Sequence, residues 1–299
     1  MAVQAYRVRL KNCGHESNGP GRQPMMRFIF ITNSPELATF VCERGVERVM
    51  VDLELLGKIE RQGHLSTVIS RHDFEDIAKV RAAIPDKDLI VRLNPVHSGS
   101  QDEVDRAIDL GADTLMLPMF RTAREVETFC SFVDKRVRVC LLLETAAGIS
   151  DLDEIVAISG VDEVHIGLND LHLDLRNTFM FEPLTNGIVD IAAKKIRSAG
   201  LPLGIGGLAR AGEGLLPADM LIAEHVRLQS TGAILSRTFH RNSTSVSDIE
   251  REMDFAMELM KLQDAYRNYQ LVSSATLSEV HIEVSERVSS IVRSKTGGT

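Results

Sequence analysis

The chain has 299 residues, 44% apolar and 25% charged, with a formal net charge of −8. This is the composition of an ordinary globular protein, and its acidic balance argues against nucleic acid as a partner but not against a small anionic substrate. No apolar stretch approaches the roughly 20 residues that span a bilayer, and no h-region follows Arg7, Arg9 and Lys11, so neither a membrane anchor nor a secretory signal is expected.

Four cysteines, Cys13, Cys42, Cys130 and Cys140, lack C-x-x-C spacing and read as reduced thiols of a cytoplasmic protein. Residues 1–25 are polar and punctuated by Gly and Pro, and read as a flexible leader. From there strands and helices alternate. Phe28–Thr32 is a strand, and Ser34-Pro35-Glu36 opens a helix with Ser at N-cap and Pro at N1. Val46–Leu53 is the second strand, Asp73–Ala83 a helix and Leu89–Leu93 the third strand. Gln101–Leu110 is a helix stopped by Gly111. Thr114–Leu117 is the fourth strand, Ala123–Val133 a helix and Val137–Leu143 the fifth strand. Ser150-Asp151-Leu152-Asp153 has the form of a capping box, and Val161–Ile166 is the sixth strand. Ile188–Ala199 is a helix ended by Gly200, and Leu203–Ile205 and Gly232–Leu235 are the last strands. Asp248–Tyr269 reads as one long amphipathic helix.

This alternation over about 240 residues predicts a (β/α)8 TIM barrel over 26–269, with an open doubly wound sheet as the alternative. No G-x-G-x-x-G follows the first strand, which weakens the dinucleotide version of that alternative. Residues 270–299 are a polar C-terminal extension. Val284, Val288 and Ile291 have helical spacing there, so the segment is either a short helix packing on a partner subunit or a frayed end.

Two strings carry the chemistry. Leu141-Leu142-Leu143-Glu144 and Val164-His165-Ile166-Gly167-Leu168-Asn169-Asp170 are apolar runs that end in a carboxylate. Such runs read as buried parallel strands, so each acid falls on the C-terminal rim, where barrels keep their active sites. Singly, Glu144 and Asp170 read as a solvated loop acid and a helix cap. On consecutive strand ends they suit a shared hard cation, Mg²⁺ or Mn²⁺. A 2-oxo acid can chelate such a cation, which then polarises the ketone.

Arg92 ends the third strand, and its planar donors can hold a carboxylate or enolate oxygen, or pair across the barrel mouth. Asp52 and Glu54 end the second strand and either order water at the cation or pair with Arg92. Gly204-Ile205-Gly206-Gly207 is either a backbone cradle for a ligand or a tight turn. Lys58, Arg61, Arg71 and Arg121 offer a collar for an anionic substrate, or are simply solvated.

The segments Val51-Asp52-Leu53-Glu54, Val91-Arg92-Leu93-Asn94-Pro95, Gly111–Met119, Leu143–Gly148 and Ile166–Leu171 together resemble the HpcH/HpaI aldolase and citrate lyase β-subunit family. The resemblance runs from about Met26 to the final long helix. It implies that Glu144 and Asp170 are the metal-binding carboxylates and that Arg92 stabilises a pyruvate enolate. It also implies that Glu54 orders metal-bound water, that Asp109 partners a catalytic histidine, and that the backbone of Leu117, Pro118 and Met119 lines the substrate pocket. It further implies a homo-oligomer, a trimer or hexamer.

One departure stands out: the aldolase branch has a histidine general base after the second-strand acid, and this chain has Leu55. The Asp-Leu-Glu string looks more like the citrate-lyase branch. His64, His72 and His97 are the loop histidines available to replace that base. The expected activity is therefore a metal-dependent carbon–carbon lyase or aldolase acting on a small 2-oxo or hydroxy acid. The alternatives are an acyl-CoA lyase of the citrate-lyase type and a barrel without catalysis that serves as a scaffold.

Overall fold

The computed structural model describes residues 25–56 and 72–297. Lys58, Arg61, His64, Arg71, Cys13 and the leader apart from Met25 lie outside the described residues. Eight parallel strands close into a barrel in sequence order: β1 Arg27–Ile31, β2 Arg48–Asp52, β3 Asp88–Arg92, β4 Thr114–Leu117, β5 Arg138–Leu143, β6 Glu163–Ile166, β7 Leu203–Leu208 and β8 Gly232–Leu235. β1 pairs with both β2 and β8, which closes the ring and removes the open-sheet alternative.

The connections are helical. α1 is Pro35–Glu43, α2 Phe74–Ala83, α3 Ser100–Asp109 and α4 Ala123–Val133. α5 Ala146–Ser150 and α6 Leu152–Ile155 follow β5. α7 Leu168–Asp174, α8 Glu182–Thr185 and α9 Ile188–Ser198 follow β6. α10 Ala218–Arg227 joins β7 to β8, and α11 Val246–Glu252, α12 Phe255–Gln270 and α13 Ser274–Thr296 complete the chain.

Local chemistry sets several of these starts. The Ser34 side chain accepts from the Leu37 N–H, with Pro35 in the first turn. Asp73 and Asp76 form a reciprocal capping box at α2. The box expected at Ser150 does not form. Thr145 caps a turn earlier, at α5, and the Asp151 carboxylate instead accepts from the Ala123 N–H at 2.6 Å.

The strands are buried on both faces, as parallel strands must be. Phe28, Val49, Val91, Leu115, Leu141 and Val164 face the helices, whereas Ile29, Met50, Ile90, Met116, Cys140 and Leu142 form a separate cluster in the lumen. The N-terminal end of the barrel is closed by a polar ring that the sequence reading did not identify. Arg48, Asp88, Thr114, Arg138 and Glu163 are each the first residue of a strand. Arg48 donates to Asp88 at 2.6 Å and to both Glu163 oxygens at 2.5 and 2.9 Å, and Arg138 reaches Asp88 at 2.6 Å.

The long helix expected over 248–269 is two helices. Met253 is extended (φ −167°, ψ 159°), and the Asp254 side chain caps α12 by accepting from the Met257 N–H at 3.0 Å. The C-terminal segment is a 23-residue helix, far longer than expected. It packs on the chain's own α10, where Val284 and Val288 are buried and His281 Nδ1 lies 3.0 Å from a Glu224 carboxylate oxygen.

Candidate active site

The residues singled out at the strand ends converge on the C-terminal rim. Arg92 and Asp52 are the last residues of β3 and β2, in register with each other. The Arg92 Nε and Nη2 donate to the two Asp52 carboxylate oxygens, both at 2.8 Å, in a bidentate fork. Its Nη1 lies 3.5 Å from Glu54. The Asp52 carboxylate also accepts from the Glu54 N–H at 3.2 Å, which fixes the backbone that carries Glu54.

Arg92, Asp52 and Glu54 are all buried beneath the rim. Burial opposes the charge on Arg92, but Asp52, Glu54 and Glu144 together hold it more firmly protonated than a free guanidinium. The rim-salt-bridge reading of Asp52 is thus the one realised. Glu54 is the acid left near the guanidinium edge.

Glu144 follows β5 and is 3% exposed. Burial pushes its carboxyl well above the ordinary carboxylate range, and the negative charges of Asp170 and Glu54 push the same way. Arg92 and a hydrogen bond from the Met119 N–H, at 3.1 Å, oppose this only in part. Met119 adopts φ +54°, a left-handed conformation uncommon for a non-glycine residue, and it is in this conformation that its N–H meets Glu144. A Cβ at Gly167 would lie 2.7 Å from a Glu144 oxygen, so a side chain there would push the carboxylate out of this position.

Asp170 sits in the first turn of α7, where the helix dipole favours an anion. Among the described residues no cluster of three or more His, Cys, Asp or Glu forms a metal cage, so Glu144 and Asp170 would hold a divalent cation as a pair that leaves its other positions to water. The excess of negative charge around buried Glu144 fits such a cation.

Other expected residues lie elsewhere. Asp109 is the exposed last residue of α3, next to the start of β4 and so at the opposite end of the barrel from Arg92. Within one chain it cannot partner a base at the rim. The Leu117 side chain is buried in the outer core, so only its backbone is directed to the site. Pro118 and Met119 follow it at the rim, and Met119 spends its N–H on Glu144. Gly206 packs against Leu168, where a Cβ would lie 3.1 Å away, and it borders a cavity of about 10 Å³, too small for a substrate. Arg121 approaches Asp174 at 3.3 Å in an exposed ion pair.

Among the described histidines, His72 Nδ1 accepts from the Asp52 N–H at 2.9 Å and His97 Nδ1 accepts from the Gly99 N–H at 3.1 Å. The lone pair on each Nδ1 is therefore committed, and the neutral ring carries its proton on Nε2. His97 Nε2 lies 3.2 Å from Glu103, which also accepts from Asn94 at 2.7 Å. The Asn94 carbonyl in turn accepts from the N–H groups of Leu55 and Leu56, both at 2.9 Å. Leu55 and Leu56 are about half exposed.

His165 is a residue that the sequence reading left unassigned. It lies in the lumen opposite Gly204, and desolvation pulls its pKa down to about 4. Its strand position was readable, but its burial was not. The three described cysteines, Cys42, Cys130 and Cys140, are free thiols. No helix among the described residues is long and apolar enough to cross a membrane.

Comparison with known proteins agrees with this geometry. The family model for HpcH/HpaI aldolase/citrate lyase matches residues 26–209. The hydroxypyruvate/pyruvate aldolase of Agrobacterium fabrum is 31% identical over 141 residues, 37% of this chain and 53% of that protein. The 2-keto-3-deoxy-L-rhamnonate aldolase of Escherichia coli is 24% identical over 143 residues, 38% of this chain and 53% of that protein. The chain thus spans about half the length of these curated relatives. An HpcH/HpaI aldolase from Desulfitobacterium hafniense superposes with a TM-score of 0.57 at 16% identity, over 80% of this chain and 93% of that one. A family member from Burkholderia cenocepacia gives 0.58 at 17%, over 77% and 95%. At these identities the superpositions speak for the barrel alone. The family match spans most of the barrel, from β1 to the end of β7, and with it this chain belongs to the HpcH/HpaI aldolase/citrate lyase family.

Proposed function

We propose that the protein is a divalent-metal-dependent carbon–carbon lyase of the aldolase type, working on a 2-oxo acid through a pyruvate-type enolate. The observation that carries this reading is buried Glu144, surrounded by the like charges of Asp170 and Glu54 and facing Arg92. Glu144 and Asp170 would hold Mg²⁺ or Mn²⁺, with the remaining positions open to water and substrate. The cation, when bound, supplies Lewis-acid polarisation of the keto group.

The chain's own residues do the rest. Asp52 grips two donor nitrogens of Arg92 and locks its plane, so the guanidinium is preorganised for charge that develops on the enolate oxygen. Glu54, 3.5 Å from Arg92, offers its carboxylate oxygens as acceptors for water or for a substrate hydroxyl at the mouth. The Met119 N–H orients Glu144. Leu55 transfers no proton, and the described loop histidines His72 and His97 have their Nδ1 lone pairs committed, which supports water positioned by Glu54 as the proton carrier.

The test is methyl-proton exchange of pyruvate in D₂O, followed by NMR with Mn²⁺ or Mg²⁺ and again with chelator. Exchange that requires the metal is expected. Glu144→Gln and Asp170→Asn should each lower it by about a hundredfold or more, the scale for removing a group that stabilises developing charge. Full exchange in both variants would overturn the assignment.

The exposed apolar Leu55 and Leu56, held by Asn94, favour one alternative, cleavage of an acyl-CoA thioester in the citrate-lyase manner. Faster turnover of a thioester than of a free hydroxy-oxo acid would select it.

A further inference from the structure

The loops after β7 and β8 hold an arginine pair that the reaction above does not use. Arg210 lies two residues beyond the end of β7 and is 6% exposed. Its Nε and Nη2 are buried and make no hydrogen bond among the described residues. A buried guanidinium with uncommitted donors is costly to maintain unless something takes them.

What stands closest is Glu213. One Glu213 oxygen, Oε1, lies 3.2 Å from Arg210 Nη2 and 3.3 Å from Nη2 of Arg241, which comes from the loop after β8. Two guanidinium groups on adjacent loops thus converge on a single carboxylate oxygen. Arg241 also donates from Nη1 to Glu252 at 2.8 Å, so its charge is balanced there. The contact of Glu213 to Arg210 is close in distance but lacks hydrogen-bond alignment, so it balances the charge of Arg210 without satisfying its donors.

Glu213 is also poorly anchored. Its side chain is 41% exposed, and it stands between Gly212 (φ +75°) and Gly214 (φ +101°), whose backbones adopt conformations that side-chain-bearing residues rarely reach. Arg210 and Arg241 follow the same C-terminal strand ends as Arg92 and Glu144, and barrels commonly bind anions at the loops after strands seven and eight.

We infer that Arg210 and Arg241 form a second anion site at the barrel mouth, held in the free protein by the Glu213 carboxylate and taken over by a carboxylate or phosphate at the end of the substrate remote from its 2-oxo group. Glu213 then acts as an internal competitor. The apparent affinity of the site is lowered by the fraction of time that Glu213 occupies it. The proposal rests on reading this rim as the substrate mouth, but the site itself does not depend on enolate chemistry.

The test is isothermal titration of the full chain at low ionic strength, in chelator and without pyruvate, with inorganic phosphate and separately with succinate as probes. Glu213→Gln keeps the side-chain shape and removes the competing charge. It should bind at least one probe about tenfold more tightly than the unmodified protein, the worth of about one charge-assisted hydrogen bond. Adding Arg210→Gln to Glu213→Gln should remove that gain. If the double variant loses its circular-dichroism signature, Arg210→Lys in the same background replaces it; this keeps the charge but not the planar fork and should still weaken binding. Binding of phosphate alone would mark a phosphorylated substrate, and of succinate alone a dicarboxylate. No binding of either probe by Glu213→Gln, or equal binding by the folded Arg210 variants, overturns the proposal. Anion binding by a protein that fails to exchange pyruvate protons would leave this site standing and remove only the enolate reading.

Discussion

Glu144 shows how one side chain takes its character from its surroundings. Leucines carry it to the end of β5, but its burial and its acidic neighbours set its protonation. A carboxyl whose pKa is raised on folding keeps a proton that the unfolded chain has released. In the metal-free protein this costs stability progressively as pH rises above the ordinary value of 4.5 toward the raised one. A divalent cation must displace that proton, so its affinity should rise with pH across the same window, by up to about tenfold per unit for one proton. Mn²⁺ titrations at several pH values check this, and Glu144→Gln should bind weakly with a flat profile. Arg92 offers a companion test. Arg92→Lys keeps the charge but loses the fork to Asp52, and should lower pyruvate exchange by about tenfold or more, one to two charge-assisted hydrogen bonds, while the fold persists.

At the scale of the element, caps decide where helices begin. The apolar spacing from Ile249 to Met260 is continuous, yet Asp254 can only cap α12 if the chain first leaves helical geometry at Met253. The hydrogen bond from the Met257 N–H offsets that break. Asp254→Ala should cost about 1 kcal/mol in urea unfolding, the usual worth of an N-cap. The loop after β2 behaves comparably. Asn94 accepts two backbone N–H groups there and presents Leu55 and Leu56 outward, so an apolar lip stands where the aldolase branch carries its base.

The whole barrel places opposite demands on its two ends. The N-terminal end is neutralised: burial disfavours ionised Asp88 and Glu163, but the attraction of Arg48, with Arg138 and Arg27 behind it, holds both below the usual carboxylate range. The C-terminal end leaves Glu144 under-compensated, which suits binding rather than stability. Arg48→Met should therefore destabilise by about 3 kcal/mol, because two buried carboxylates lose the partner they share and keep only the half-exposed Arg138 and Arg27. Depressed carboxylate pKa values make the ring's contribution fully present above about pH 4 and lost as pH falls through the folded values. Urea midpoints measured down the acid range should fall more steeply for the unmodified chain than for Arg48→Met.

The barrel, its eight strands and the convergence of Arg92, Glu54 and Glu144 at one rim were legible in the sequence. Strand ends are marked by a change from apolar to charged residues, and parallel topology sends every such end to the same face. Helix α10 and the packing of Gly206 against Leu168 are not legible in the sequence, because both depend on what lies across the β7 surface. Asp109 followed a family pattern to a position that chain direction puts at the far end of the barrel. Only the tertiary structure decided that Asp52, rather than Glu54, takes both ends of the Arg92 fork, that Glu144 is buried among like charges, and that Arg210 and Arg241 meet over Glu213. The local sequence dictates backbone geometry and which way a strand's side chains alternate. Charge compensation and desolvation are set by residues distant in the chain, and those the fold alone brings together.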